Sequence, residues 1–370
     1  MKISYANSTI RLLSISILLV LIAGCKKDNP ETANEIQISA GGTHTLIVKS
    51  DNTLWACGSN LFGQLGDGTE TDRNAIVKIA EDVKSISSGL NHTLVLKNDH
   101  SLYACGYNVD GQLGDNTNTN RNTLVKIADN VKAISAGYDH SLLIKTDNTL
   151  WACGSNDFGQ LGDGTNTDRN AFVKITDNVK AIKAADSYSL IIKTDNTLWT
   201  CGINSNGQLG DGSTIDRKLP VKISENVKAV SGGRGHTLIL KTNNELLACG
   251  GNGLGQFGNG TTTDSKTPIL ITTDVQTVAA GGYHSLISKT DNTLWTSGFN
   301  PAGQLGDGSF NNKNTFIAVS ENVKATSAGL LYSVVLKTDN TIWSFGSNIK
   351  GQLGDGTLTN RATLVQLYMP

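Results

Sequence analysis

The chain lacks an excess of charge of either sign. Its 370 residues carry 31 Lys and Arg against 32 Asp and Glu, a formal net charge of −1. A protein that grips a polynucleotide by releasing its counterions needs a cationic surplus, so no nucleic-acid partner is expected. Apolar residues are also scarce at 38%, while glycine is abundant at 40 residues. Together these fit an all-β chain with many tight turns. There is no nucleophile elbow, no P-loop and no zinc-protease helix. No motif therefore names a catalytic residue, a metal or a cofactor, and the protein reads as a binder more than an enzyme. The apolar run from Leu12 to Ile22 is too short for a comfortable membrane span.

Against these absences stands one dominant repeat. The phrase that begins Trp55-Ala-Cys-Gly58 and continues to Gly63-Gln-Leu-Gly-Asp-Gly68 recurs seven times at an interval of 48 residues, with no insertion or deletion. Residues 35–370 hold 336 positions, which divide into 35–82, 83–130, 131–178, 179–226, 227–274, 275–322 and 323–370. A fixed period of this size marks a propeller or a related array, and one closed ring can use the whole stretch.

The segment before the repeats reads as a processing signal. Lys2 and Arg11 precede the apolar run, which ends in Ile22-Ala-Gly-Cys25. This resembles the lipobox of bacterial lipoproteins, and the resemblance implies cleavage before Cys25 and lipid attachment to its thiol. Acyl chains anchor by burying methylenes at about 0.8 kcal/mol each, so two or three chains hold a protein on the membrane. Residues 25–34 form a polar tether. Lys26 follows the cysteine in place of the aspartate that signals inner-membrane retention. The expected location is the bacterial cell envelope, more the outer membrane than the inner.

Each repeat reads as four short strands. In the third, Val131 to Ala136, His140 to Lys145, Leu150 to Cys153 and Ala171 to Ile175 are strand A, B, C and D. Asp and Asn between B and C suit a hairpin that needs positive φ. D to A, A to B and B to C need few residues, whereas C to D needs about sixteen, a length natural for a crossover to the next blade. The expected blade is therefore D-A-B-C, antiparallel, with the final strand, Thr363 to Leu367, pairing with the first, Ile36 to Ala40. That pairing would close the ring and remove both exposed edges.

Cys153-Gly-Ser-Asn-Asp-Phe-Gly-Gln-Leu-Gly-Asp-Gly164 and Ile134-Ser-Ala-Gly-Tyr-Asp-His-Ser141 together resemble the regulator of chromosome condensation repeat. The resemblance spans residues 35–370 and implies a seven-bladed β-propeller. It does not imply one activity. A family member that exchanges nucleotide on a GTPase carries an inserted wedge, and no repeat here has one, so exchange activity is not expected. A photoreceptor member needs clustered tryptophans, and here there is at most one per repeat.

Several recurring residues have structural readings. The slot of Trp55, Tyr103, Trp151, Trp199, Leu247, Trp295 and Trp343 suits packing between blades. His44, His92, His140, His236 and His284, with Tyr188 and Tyr332 completing the slot, suit one hydrogen bond per blade better than a metal ring. Cys57, Cys105, Cys153, Cys201 and Cys249 are too far apart to bridge and read as buried free thiols. Acidic loops such as Asp163 to Asp168 read as turns, not calcium sites.

Slots that vary from copy to copy mark the surface. One precedes the histidine and should ring one mouth of the channel; it supplies Tyr138, Asp139, Asp186, Arg234, Tyr283, Leu330 and Leu331. A second, after the repeated asparagine, supplies Phe62 and Phe158. Tyr and Arg are common interface anchors, and propellers carry function on such loops. The favoured reading is a monomeric, membrane-anchored scaffold that binds a protein or a cell-surface ligand through one face. The alternatives are an enzyme or carbohydrate-active protein using Asp139 and Asp186 near the axis, and a structural envelope module.

Overall fold

The computed structural model describes residues 35–370. Lipid attachment at Cys25 lies outside the described residues. Within them the protein is an all-β seven-bladed propeller of four-stranded antiparallel sheets, without helices. In the first blade β1 is Gln37–Ala40, β2 His44–Val48, β3 Leu54–Gly58 and β4 Arg73–Ala80, paired in that order. The other six blades repeat the pattern. β1 and its equivalents line the central channel.

Local chemistry sets these elements. The turn between β2 and β3 needs a left-handed residue, which Asn52 supplies at φ 65°. Asp51 Oδ1 accepts the Thr53 N–H at 3.0 Å and its hydroxyl at 2.6 Å. Thr53 Oγ1 in turn accepts the Trp55 indole N–H at 2.8 Å. Strand β2 is buried along its whole length, and its two faces pack toward neighbouring blades.

Blade composition and closure differ from the sequence expectation. Each sheet lies within one 48-residue repeat in the order A-B-C-D, and the last strand, Arg361–Leu367, pairs with Ile342–Gly346 rather than with β1. The long C-to-D loop explains the difference. It does reach the next blade, but it returns. Loop Ser59 to Asp72 lies over the second blade, where Thr93 Oγ1 donates to Gln64 O at 2.7 Å and Gly68 N–H to Asn122 O at 2.9 Å. The seam between the last and first blades has the same bonds: Thr45 Oγ1 to Gln352 O at 2.7 Å and Gly356 N–H to Asn74 O at 3.0 Å. The Tyr332 hydroxyl adds a bond to His44 O at 2.5 Å. All seven seams are made by loops and side chains, so closure requires no exchanged strand.

One buried asparagine holds each long loop. Asn156 Nδ2 donates to Asp163 Oδ1 at 3.1 Å and to the Thr165 and Thr167 carbonyls at 3.2 Å, while its Oδ1 accepts the Leu161 N–H at 3.1 Å. Asp163 also takes Arg169 at 2.8 Å. Leu161 and its equivalents are buried beneath the loop. The ring residues of the tryptophan slot pack at blade seams, as Trp151 and Trp199 do. The lysines that end the B strands do not simply extend into solvent. Lys145 Nζ sits 4.1 Å from the Trp151 ring centroid, a cation–π contact.

Candidate functional site

The connection between the first two strands of a blade is three residues, Gly41 to Thr43 in the first copy. Gly41 is required there: a Cβ would lie 2.6 Å from His44 Cε1 and 2.6 Å from Gly89 O. The fourth blade has Ala185 in this slot. It is accommodated because the fifth blade has Gly232 where the others have Ala or Ser, and a Cβ on Gly232 would lie 2.6 Å from the Ala185 methyl. Backbone bonds then run from blade to blade: Gly42 N–H to Gly89 O, Leu90 to Gly137, Tyr138 to Ala185 and Gly282 to Gly329, at 3.0 to 3.2 Å. This fixed ring presents Leu90, Tyr138, Asp186, Arg234 and Leu330 around a cavity of about 60 Å³ at the narrow mouth of the channel.

The sequence-predicted residues therefore converge, though not all in one place. The Arg234 guanidinium lies 5.6 Å from the Tyr283 ring centroid, and Tyr283 meets Phe299 edge-on at 6.2 Å. The Tyr138 hydroxyl is buried without a hydrogen-bond partner, and burial, with the nearby Asp186 charge, pushes its pKa upward. Burial also raises Asp186 to about 6, although Arg234 opposes the shift. Asp139 is raised to about 6 by burial and then by Asp110; it faces Gln112, whose Nε2 donates at 3.4 Å, rather than the cavity. Asp139 and Asp186 feel each other's charge but share no hydrogen bond. Leu331 is half-buried beside Leu330. Phe62 packs on Tyr107 at 4.9 Å, and Phe158 is 37% exposed on an outer loop.

Tyr107 and Phe299 were missed in the sequence reading. They occupy one slot, directly after strand C, which also holds Ser59, Ser155, Ile203, Gly251 and Ser347. Its variation from copy to copy was the available signal.

The histidines line the seams below this mouth. His92 Nε2 lies 2.9 Å from Ser141 Oγ, whose own proton goes to Gln112 O at 2.7 Å. The serine must then accept, so Nε2 carries the proton. The other four histidines repeat this chain. Burial depresses them to about 3 or 4. The five cysteines are free and buried, each directing Sγ at a loop carbonyl, as Cys153 does at Gln112 O. Among the described residues no three His, Cys, Asp or Glu form a group that could hold a metal ion. The Asp67 carboxylate and its equivalents are committed to Asn, to Thr or Ser, and to Arg or Lys partners.

Three solved structures share this architecture. Human WBSCR16 is 19% identical with a TM-score of 0.78, covering 86% of this chain and 94% of that one. Prp20p from Saccharomyces cerevisiae is 21% identical at TM-score 0.73, covering 81% and 82%. Yeast RCC1 (Prp20), crystallised with Kap60, is 16% identical at TM-score 0.76, covering 98% and 91%. At these identities the likeness is one of fold. No curated protein matches the chain by sequence. The sequence itself matches the RCC1-like domain over residues 19–329, most of its length, and the chain belongs to that family.

Proposed function

We propose that the protein is a membrane-anchored extracytoplasmic scaffold that binds another protein, or a cell-surface ligand, through the narrow-mouth face. The observation that carries the reading is the grouping of Tyr138 and Arg234 on the mouth cavity with Tyr283 against Arg234, while Leu61, Val109, Phe158 and Ile349 stand 60%, 52%, 37% and 63% exposed on the C-to-D loops. An aromatic and arginine centre with an apolar surround has the composition of a binding hot spot. Structural relatives support a protein partner by analogy: Prp20p is described by its binding to Gsp1p and histones, and yeast RCC1 by its complex with Kap60.

The test uses the full chain recovered from membranes. Combined Tyr138→Ala, Arg234→Ala and Tyr283→Ala should abolish capture of a partner that the wild type retains, at an unchanged melting temperature. Undiminished capture would move the site elsewhere. The anchor is tested separately: Cys25→Ser should lose incorporation of labelled palmitate and shift the protein to the soluble fraction. Continued incorporation would remove Cys25 as the lipid site.

A further inference from the structure

The opposite end of the channel is built differently. There the inner strands enclose a chamber of about 550 Å³, a volume typical of small-molecule sites. Its wall is a band of Ile38, Ile86, Ile134, Ile182, Val230 and Val278, and its entrance is ringed by Lys84, Lys132, Lys180, Lys228 and Lys324. The remaining two copies of the entrance slot hold Ile36 and Gln276, so the fold itself does not require lysine there.

The partners of three of these lysines orient the charge without cancelling it. Lys132, Lys180 and Lys228 donate to the side-chain oxygens of Asn148, Asn196 and Asn244 at 2.6, 2.6 and 2.9 Å. Those asparagines are the left-handed residues of their hairpins, at φ 64°, 63° and 66°. Lys84 lies 3.4 Å from a nitrogen of His100. Lys324 has a carboxylate partner, Glu35, at 3.6 Å. Farther out on the same face the pattern reverses. Lys78, Lys126, Lys174 and Lys222 each meet a carboxylate three residues on, at 2.6 to 2.8 Å. The outer lysines are neutralised, whereas Lys132, Lys180 and Lys228 meet neutral amides.

The ammonium groups of Lys132, Lys180 and Lys228 stand at one opening and repel one another, and low-dielectric walls focus their field into the chamber. We propose that this end of the channel binds a compact organic polyanion, with phosphate or carboxylate groups on the lysine ring and an uncharged body against the aliphatic wall. Several anionic groups are needed to engage the three cations of Lys132, Lys180 and Lys228 together. The body must be compact to fit the chamber, and apolar because the wall offers isoleucine and valine.

The experiment titrates the full chain with pyranine, a fluorescent pyrene bearing three sulfonates, at low salt, with tripolyphosphate and citrate as competitors. Pyranine should bind, weaken steeply as salt is raised, and be displaced; the stronger competitor assigns phosphate or carboxylate as the preferred group. Combined Lys132→Gln, Lys180→Gln and Lys228→Gln should weaken binding by about tenfold or more. Combined Lys78→Gln, Lys126→Gln and Lys174→Gln removes the same charge from the outer ring and should change it by no more than about twofold. Combined Ile134→Trp and Ile182→Trp, which crowd the chamber and keep the ring, should weaken pyranine binding and spare that of tripolyphosphate. Absence of wild-type binding, failure of both competitors, or equal loss in the two lysine triples would overturn the proposal.

Discussion

The two ends of the channel are made from the same seven repeats and have opposite characters. The narrow mouth differs from blade to blade: Leu90, Tyr138, Asp186, Arg234 and Leu330 follow one another around a cavity of about 60 Å³. The wide mouth is nearly uniform, with lysine in five of seven positions over about 550 Å³. An irregular ring matches one orientation of an irregular surface, as a protein partner requires. A near-symmetric ring has no preferred azimuth and acts on something that sits on the axis. On the two proposals, the same backbone separates shape recognition at one end from charge recognition at the other.

Acid is the strongest way to break this comparison, because the five seam histidines lie just below the narrow mouth and the wide mouth has no buried counterpart. Their folded values of about 3 to 4 fall below the ordinary histidine value of 6.5. The unfolded chain therefore binds more protons between these limits, and stability is lost as pH falls through that window. The loss is on the order of 1.4 kcal/mol per pH unit for each histidine. Asp139 and Asp186, raised to about 6, act in the opposite sense: they gain stability as pH falls from about 6 toward the usual carboxylate value. Five groups outweigh two. Denaturation midpoints should drop steeply from pH 6.5 to pH 5, and hydrogen exchange should open the Gly42, Leu90 and Tyr138 amides before the wide-mouth hairpins. A flat midpoint across this range would show that the imidazoles protonate without leaving their seams.

A smaller effect separates the loops of the two faces. Asn156 is fully buried and serves four loop groups of the narrow face. Asn156→Ala leaves several of them unmet, at about 1 kcal/mol or more each, so a loss of roughly 3 kcal/mol is expected by denaturant titration. Asp147 performs a similar task on the wide face, accepting the Thr149 N–H and hydroxyl at 3.0 and 2.7 Å. It is solvated, and water can replace it. Asp147→Ala should change the midpoint far less; equal losses would mean that the two faces depend on their loops alike.

Much of this was legible in the residues. An unvarying 48-residue period gave seven blades, and the separation of the five repeated cysteines already argued for buried free thiols over bridges. The narrow mouth was legible because variation between copies falls there. Blade order was not, because connection length alone does not distinguish a loop that crosses to the next blade from one that crosses and returns. Gln64 O and Gly68 N–H, backbone groups without a sequence signature, make that difference. The lysine ring escaped notice for the opposite reason. Lysine at Lys84, Lys132, Lys180, Lys228 and Lys324 looks like ordinary solvated surface until the fold places those positions around one axis.

Lys183 provides the finest test of where one end stops and the other begins. It occupies a slot that elsewhere holds serine or alanine, and those serines join blades: Ser135 Oγ, for example, accepts the Ala184 N–H at 2.9 Å. Lys183 cannot accept that bond from Gly232. Its side chain instead borders the narrow cavity, and burial holds its pKa below the usual lysine range. Among the described residues no hydrogen bond or ion pair offsets that cost. Lys183→Ser should restore the seam bond and remove the buried charge, raising stability by about 1 kcal/mol at neutral pH. The unfolded chain binds more protons than the folded one only between the lowered and the ordinary lysine values. The wild-type penalty is therefore complete at neutral pH and fades on alkaline titration, and the advantage of the variant should shrink with it. Pyranine binding at the wide mouth should not change. A less stable variant, or one that loses pyranine, would show that Lys183 already has a partner at the waist and that the two ends are coupled through it.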